Sequence, residues 1–582
     1  MTRKPLHHED SGVERRDFLR AAPASLAAGV FPTVTGEVQP ANETTTSRLR
    51  GASELSGLEF TDAEHDLMRA AVDRNRERYA ALRDLPIPND TEPAVAFFPY
   101  LPGERPTGVS TPHAELPILR AESPSSPDAL DSLAFEPVTV LSRLLERREV
   151  TSVDLTRMYL DRLRRYGDRL KCVITLTDEF ALSQAETADA EIRAGRYRGP
   201  LHGIPWGAKD LLATRGVRTT WGAKPYEFQI FDDDATVVRR LKEAGAVLVA
   251  KLSMGALAQG GVWFGGSTRN PWDVSRSSSG SSAGPASATA AGLVGFSVGT
   301  ETLGSIISPS AACGVTGLRP TYGRVSRHGA MALSWTMDKV GPICRSVEDC
   351  ALVFNAIYGA DGRDETVVDA PFEWNEEFQP TQLKIGYVAS ELDRPPDGVS
   401  AVQRRSWIGQ RGVLLAALEM FRDAGFTLDP IELPEFRADA LRLILSAEAA
   451  TAFDDLTRNR GIDQLTRQGP GDWPNQFRSA RFIPAVEYIR AQRARSLLAR
   501  QMHDLMSRYD AFLSPTFSRS LMITNLTGHP ALTLKAGFRD GLPVALMITG
   551  RPYEEATVLQ VASIYEQATR WRMMHPDGFG SV

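Results

Sequence analysis

The stretch SRSSSGSSAGPASATAAGLVGFSVGTETLGSIISPSAACGVTGLR, residues 275–319, decides how this 582-residue chain is read. It opens on a Ser/Gly tract, Ser277 to Gly284, overlapped by an alanine-rich helix candidate, Ser281 to Ala291, that Gly292 stops. A Ser/Gly tract alone reads as a flexible linker. Here a helix and then an apolar strand, Val294 to Val298, follow at once. Small residues at such a junction let backbone and hydroxyls approach one another closely. A second cluster, Gly299-Thr300-Glu301-Thr302-Leu303-Gly304-Ser305, follows that strand, and strand C-termini are where α/β sheets build their sites.

Upstream, Gly203-Ile204-Pro205-Trp206-Gly207-Ala208-Lys209-Asp210 sets a lysine among small and apolar residues. Burial disfavours the charged form of such a lysine and lowers its pKa from about 10.4. A neutral lysine is a general base, which a serine hydroxyl needs to act as a nucleophile. Around these segments the pattern is α/β. Thr151 to Asp154 caps a helix carrying Leu155, Met158, Tyr159 and Leu163. Ala235 to Ala244 is a helix stopped by Gly245, and Ala246 to Ala250 is a strand buried on both faces. Leu542 to Ile548 reads as a strand and Glu554 to Thr569 as a helix. The fold class is α/β, a large mixed sheet covered by helices on both faces.

Three segments follow along the chain. Residues 1–40 hold Arg15-Arg16, Phe18-Leu19 and a weak apolar run, Ala21 to Phe31, in the manner of a twin-arginine export signal, then a linker. That run is too short to span a bilayer, which needs roughly 20 residues. The expected location is exported and periplasmic, with the cytoplasm as the alternative. Residues 41–131 form a helical and Pro-rich extension. In it Thr61 to Leu82 is a helix with a stripe of Leu67, Ala70, Ala71 and Tyr79, and prolines from Pro86 to Pro127 mark loop. The main domain is 132–582.

Composition narrows the classes. Hydrophobic residues are 42% and charged residues 24%, ordinary globular values, and a net charge of −6 gives no cationic surface for nucleic acid. The four cysteines and nine histidines show no zinc-ligand spacing, so neither metal nor cofactor is implied.

With these blocks in place the chain resembles the amidase signature family of serine hydrolases. The resemblance runs from about Leu133 to Gln567. It rests on GIPWGAKD at 203–210, STRNPWDVSR at 267–276, GTETLGSI at 299–306, CGVTGLRPTYGRVS at 313–326 and GLPVALMITGRPYEEATVL at 541–559, in family order. It implies hydrolysis of a carboxamide, or in some members an ester, by a Ser–cis-Ser–Lys triad. By position Ser305 matches the nucleophile, Ser281 the serine after a cis peptide bond at Gly280–Ser281, and Lys209 the base. Backbone N–H groups of Thr302, Leu303, Gly304 and Ser305 would hold the oxyanion. The partner is a small-molecule amide, with a homodimer left open.

Three positions depart from the family pattern. Leu303 replaces glycine, which is expected to crowd the oxyanion loop and shrink the acyl pocket. Ile307 replaces arginine, which disfavours a carboxylate-bearing substrate. Ser277-Ser278-Ser279 replaces the usual small-Pro-Gly lead-in. Three other readings are weighed. The amidase subunit of an aminoacyl-tRNA amidotransferase would use the same triad, but an export signal opposes it. A weakly active binding protein that keeps the fold is opposed by the complete Lys-Ser-Ser set. Gly280 to Gly284 also fits a GxSxG elbow with Ser282 as nucleophile and His503, His529 or His575 as partner. That motif needs a buried strand before it, and Trp272 to Ser279 is polar.

Overall fold

An unbroken apolar run is the signature of a strand covered on both faces, and Val247–Leu252 is buried along its whole length. The computed structural model describes residues 44–87, 95, 129–373, 378–393, 395 and 401–580. The Arg15-Arg16 pair and most of the proline-rich segment lie outside the described residues.

Eleven strands make one mixed sheet: β1 (Val173–Leu176), β2 (Pro205–Lys209), β3 (Val247–Leu252), β4 (Phe296–Glu301), β5 (Thr316–Arg319), β6 (Lys339–Cys344), β7 (Lys384–Val388), β8 (Thr427–Ile431), β9 (Ala511–Pro515), β10 (Ala531–Arg539) and β11 (Leu542–Gly550). Their order is β1-β3-β2-β4-β6-β5-β10-β11-β9-β7-β8. β2 runs parallel to both neighbours, β3 and β4, and Ala208 pairs with Val298. The C-terminal ends of β2 and β4 therefore lie side by side, and each carries one block of the sequence signature. β4 starts two residues later than the expected Val294 and runs on through Glu301. Gly292, at φ +65°, ends the preceding helix, and Leu293 N still bonds back to Ala288 O, so Val294 belongs to that turn.

The helices that bear on the site are α1 (Thr46–Leu55), α2 (Asp62–Arg83), α3 (Ser152–Leu170), α4 (Ala283–Ala290), α5 (Ile307–Cys313), α6 (Arg442–Ala452), α7 (Trp473–Ala480) and α8 (Ala485–Met506). Local chemistry sets their ends. Thr151 Oγ1 accepts from Asp154 N at the start of α3. Thr61 and Glu64 close a reciprocal capping box at the start of α2. The buried face of α2 is Met68, Ala71, Asn75, Tyr79 and Leu82: of the expected stripe Ala71 and Tyr79 are buried, whereas Leu67 and Ala70 are exposed. The face is rotated from the expected one because it includes a polar residue, Asn75, chosen by tertiary contact.

That face packs on the later half of the chain. Tyr79 and Leu82 share an apolar cluster with Leu441, Ile444, Leu498 and Ile523. Arg83 Nε donates to Glu487 Oε1 on α8 at 2.8 Å, and Asn475 Nδ2 on α7 donates to Leu67 O at 3.1 Å. The described residues from Thr44 onward form one compact unit. Among the described residues no helix is long and apolar enough to cross a membrane, and no group of His, Cys, Asp or Glu could hold a metal ion.

Candidate active site

Lys209 closes β2 with its side chain fully buried. Its Nζ lies 2.8 Å from Ser281 Oγ, 2.8 Å from Thr300 Oγ1 and 3.2 Å from Thr300 O. Burial lowers its pKa from 10.5 to about 7, against the opposing pull of the Asp338 and Glu301 carboxylates. A neutral amine has two hydrogens and one lone pair. The two oxygens of Thr300 take the hydrogens, which leaves the lone pair facing the Ser281 hydroxyl. The neighbouring Lys251 is also buried but is spent elsewhere: its Nζ donates to Leu212 O and lies 3.4 Å from Asp210 Oδ1.

The segment after β4 turns sharply at Gly304, where φ is +103°. A Cβ there would come within 2.9 Å of Ser308 Oγ and 3.1 Å of Leu521 Cδ2, so glycine is required. Among the described residues, the backbone N–H groups of Thr302, Leu303, Gly304 and Ser305 donate to no acceptor. Those of Ile306 and Ile307 both donate to Glu301 Oε2, at 2.8 Å each. Glu301 Oε1 in turn accepts from Arg319 Nη1 at 2.9 Å and Asn525 Nδ2 at 2.7 Å. Burial raises the Glu301 pKa, but the charges of Arg319 and Lys339 and the amide donors outweigh it and hold the carboxyl ionised. A buried ionic clamp thus fixes the chain on one side of Ser305 and leaves four unused donors on the other.

The Gly280–Ser281 peptide is cis. Ser281 is buried, Ser305 is partly exposed, and Ser282 N donates to Ser305 O at 3.1 Å, which brings the two blocks together. Among the described residues the Ser305 hydroxyl has no hydrogen-bond partner, and the Ser281 hydroxyl bonds Lys209, not Ser305. Active-site hydrogen bonds often tighten only when substrate is bound. Ser282 is used structurally: its Oγ donates to Thr300 O at 3.0 Å and accepts from Thr300 N at 3.2 Å.

The elbow reading fails on this geometry. The chain before Ser279 forms a short exposed strand, Asp273–Ser277, paired only with Arg269–Asn270. His529 is buried on Thr527 Oγ1, His575 stacks on Phe135, and His503 is exposed on α8. Met254 is core, and Trp263 Nε1 is tied to Lys171 O. Leu303 is half-buried and packs against the apolar cluster that also holds Tyr79 and Leu82.

A cavity of 390 Å³ adjoins the site, lined by Leu211, Ala258, Thr300, Thr302, Leu333 and Trp335 among others. The ionic groups on its wall are largely engaged: Arg327 binds Asp364 through Nε at 2.9 Å and Nη2 at 3.0 Å, and Lys339 binds Asn525. Sequence reasoning missed Thr300, Glu301, Arg319, Asp338 and Asn525 as parts of the site. Thr300, Glu301 and Arg319 lie inside quoted blocks. Arg319 on β5, Asp338 on a loop and Asn525 on a helix are brought together only by the fold.

Fold and sequence together define a class, the α/β amide hydrolases of the amidase signature fold. The chain belongs to the amidase family, whose family model, described simply as Amidase, matches residues 154–522. It is an enzyme of the amidase class, a hydrolase of carbon–nitrogen bonds in amides. It is 36% identical over 490 residues to the A subunit of the glutamyl-tRNA(Gln) amidotransferase of Moorella thermoacetica, covering 75% of this chain and 97% of that one. Among solved structures it resembles the native peptide amidase of Stenotrophomonas maltophilia, with a TM-score of 0.65, 31% identity and coverage of 75% and 98%. It also resembles the A subunit of the glutamyl-tRNA(Gln) amidotransferase of Thermotoga maritima, with a TM-score of 0.62, 25% identity and coverage of 76% and 97%.

Proposed function

We propose that this protein hydrolyses an uncharged carboxamide through an acyl-enzyme on Ser305. The carrying observation is the Lys209 amine, buried, 2.8 Å from Ser281 Oγ and within hydrogen-bond distance of both Thr300 oxygens. Lys209 takes the Ser281 proton as Ser281 takes that of Ser305. Ser305 Oγ attacks the carbonyl carbon, and the carbonyl oxygen develops its charge against the N–H groups of 302–305. The same relay returns the proton to the departing ammonia or amine, and water activated in the same way releases the acid. Each oxyanion donor is worth about 3–4 kcal/mol. An uncharged substrate is supported by Ile307 and by the engaged ions on the cavity wall. The test is incubation with neutral aliphatic, aryl and peptide-like amides alongside glutamine. Turnover of glutamine alone would overturn this preference.

A second reading is favoured by one observation, the 36% identity to the A subunit of an amidotransferase along 97% of its length. The amide chemistry is then unchanged, but the ammonia passes to a partner instead of solvent. Glutaminase activity that appears only on adding the other amidotransferase subunits would establish it, and would overturn the expectation that no nucleic-acid partner exists. Export bears on the same choice. We propose a twin-arginine route from Arg15, Arg16, Phe18 and Leu19. A reporter fused to residues 1–45 should be exported, and changing both arginines to lysine should stop it.

A further inference from the structure

The loop from Leu333 to Asp338, just before β6, lies outside the blocks that carry the family resemblance, yet it grips the oxyanion segment. Asp338 Oδ1 accepts from Thr302 Oγ1 at 2.6 Å, while its Oδ2 accepts from Leu333 N at 2.8 Å and Ser334 N at 2.9 Å. The next residue, Lys339, places Nζ 3.5 Å from Thr302 O and 2.9 Å from Asn525 Oδ1. In a planar trans peptide the C=O and N–H point in opposite directions. Drawing the Thr302 carbonyl toward Lys339 therefore aims the Leu303 N–H the other way.

The gripping loop is itself anchored. Glu448 on α6, buried, accepts from Ser334 Oγ at 2.6 Å, Thr336 N at 3.1 Å and Thr336 Oγ1 at 2.7 Å. Tyr488 OH on α8 donates to the same carboxylate at 2.8 Å, and Arg495 Nη2 donates to Thr336 O at 2.7 Å. A continuous hydrogen-bonded path thus runs from two helices through Asp338 to the segment ahead of Ser305.

We infer that Asp338 is a positioning residue for the reaction, its carboxylate tying Thr302 to the Glu448-anchored loop so that the amides of Leu303, Gly304 and Ser305 stay open to the oxyanion. This rests on the assignment of Ser305 as nucleophile. Asp338 acts on Lys209 as well. The charges facing Lys209 are the Asp338 and Glu301 carboxylates, whereas Lys251 on β3 is turned to Asp210 and Lys339 on β6 to Asn525. The negative charge of Asp338 raises the Lys209 pKa, so its removal lowers it further.

Two variants separate the roles. Asp338→Asn keeps the shape, removes the charge and replaces one of the two accepting oxygens with a donor, and Thr302→Val removes the tie and leaves the charge. The readout is the rate of covalent labelling by a fluorophosphonate, whose P=O group sits in an oxyanion hole, measured from pH 5.5 to 9. Thr302→Val should lower the plateau rate by about ten- to a hundredfold with the midpoint of the rising limb unmoved. Asp338→Asn should lower the plateau similarly and move the limb to lower pH. Wild-type plateau rates in Thr302→Val would overturn the inference, and so would a lowered plateau in Asp338→Asn with an unmoved limb, which is what a merely structural role gives. Wild-type protein that is not labelled at all would instead overturn the assignment of Ser305.

Discussion

Replacing Lys209 with methionine tests the neutral base in two independent ways. The side chain is fully buried, and burial lowers its pKa from 10.5 to about 7. At pH 7 about half of it is neutral, against about one part in 3,000 at the ordinary value, a difference of about 5 kcal/mol. The first readout is rate: labelling or amide turnover should rise with pH and reach half its plateau near pH 7, and Lys209→Met should lose it. The second is stability. The unfolded chain keeps its lysine protonated up to about pH 10.4. Between about 7 and that value folding therefore releases a proton, and wild-type stability rises with pH by about 1.4 kcal/mol per unit from this group. Below about 7 the group's full penalty is present. Lys209→Met has no such term, so its stability minus that of the wild type should shrink by about 1.4 kcal/mol per unit across the window. Other titrating groups cancel in the difference, and the bonds lost to Ser281 and Thr300 add only a constant. Paired denaturant unfolding between pH 7 and 9.5 measures the slope. A flat difference, or a rate limb that stays above pH 9, would refute the neutral lysine.

Ser305→Ala should abolish adduct formation seen by mass spectrometry, Ser281→Ala should label slowly, and Ser282→Ala should be milder than either, losing about 1–2 kcal/mol of stability with its two bonds to Thr300. A modified Ser282 with an unmodified Ser305 would reverse the assignment. Arg319→Met leaves Glu301 buried and unpaired, and should cost about 3–5 kcal/mol in an unfolding titration. Gly280→Ala places a Cβ 1.9 Å from Gly260 O and 2.3 Å from Gly260 C, so it should yield little soluble, labelled protein. Wild-type yield and labelling would show that this backbone gives way more easily than its packing indicates.

What the sequence disclosed and what it withheld divide along a physical line. Strands buried on both faces announce themselves as continuous apolar runs, as at Ala246 to Ala250, and Gly245 and Gly292 mark helix ends. The Lys209, Ser281 and Ser305 blocks were visible because close packing demands small residues around each. Asp338, Arg319 and Asn525 were not, since a single charged or amide residue looks the same buried as solvated until a partner is known. Glu301 sat within a quoted block, but only the fold shows that it receives the two amides following Ser305. The α2 stripe was right at Ala71 and Tyr79 and wrong at Leu67 and Ala70 for a related reason: Asn75 faces inward, and periodicity counts it as outward.

Helix α2 carries a consequence for the order in which the chain is completed. Its anchor, Arg83, meets Glu487 across 404 residues of sequence, and its apolar neighbours, such as Leu441, Leu498 and Ile523, are made just as late. On a growing chain Tyr79 and Leu82 stay uncovered until nearly all of it has emerged. Contacts of such separation form late, because loop closure must precede them. An early segment of the sequence is therefore among the last to be sequestered. A finished fold and a covered α2 arise together, at the end of synthesis.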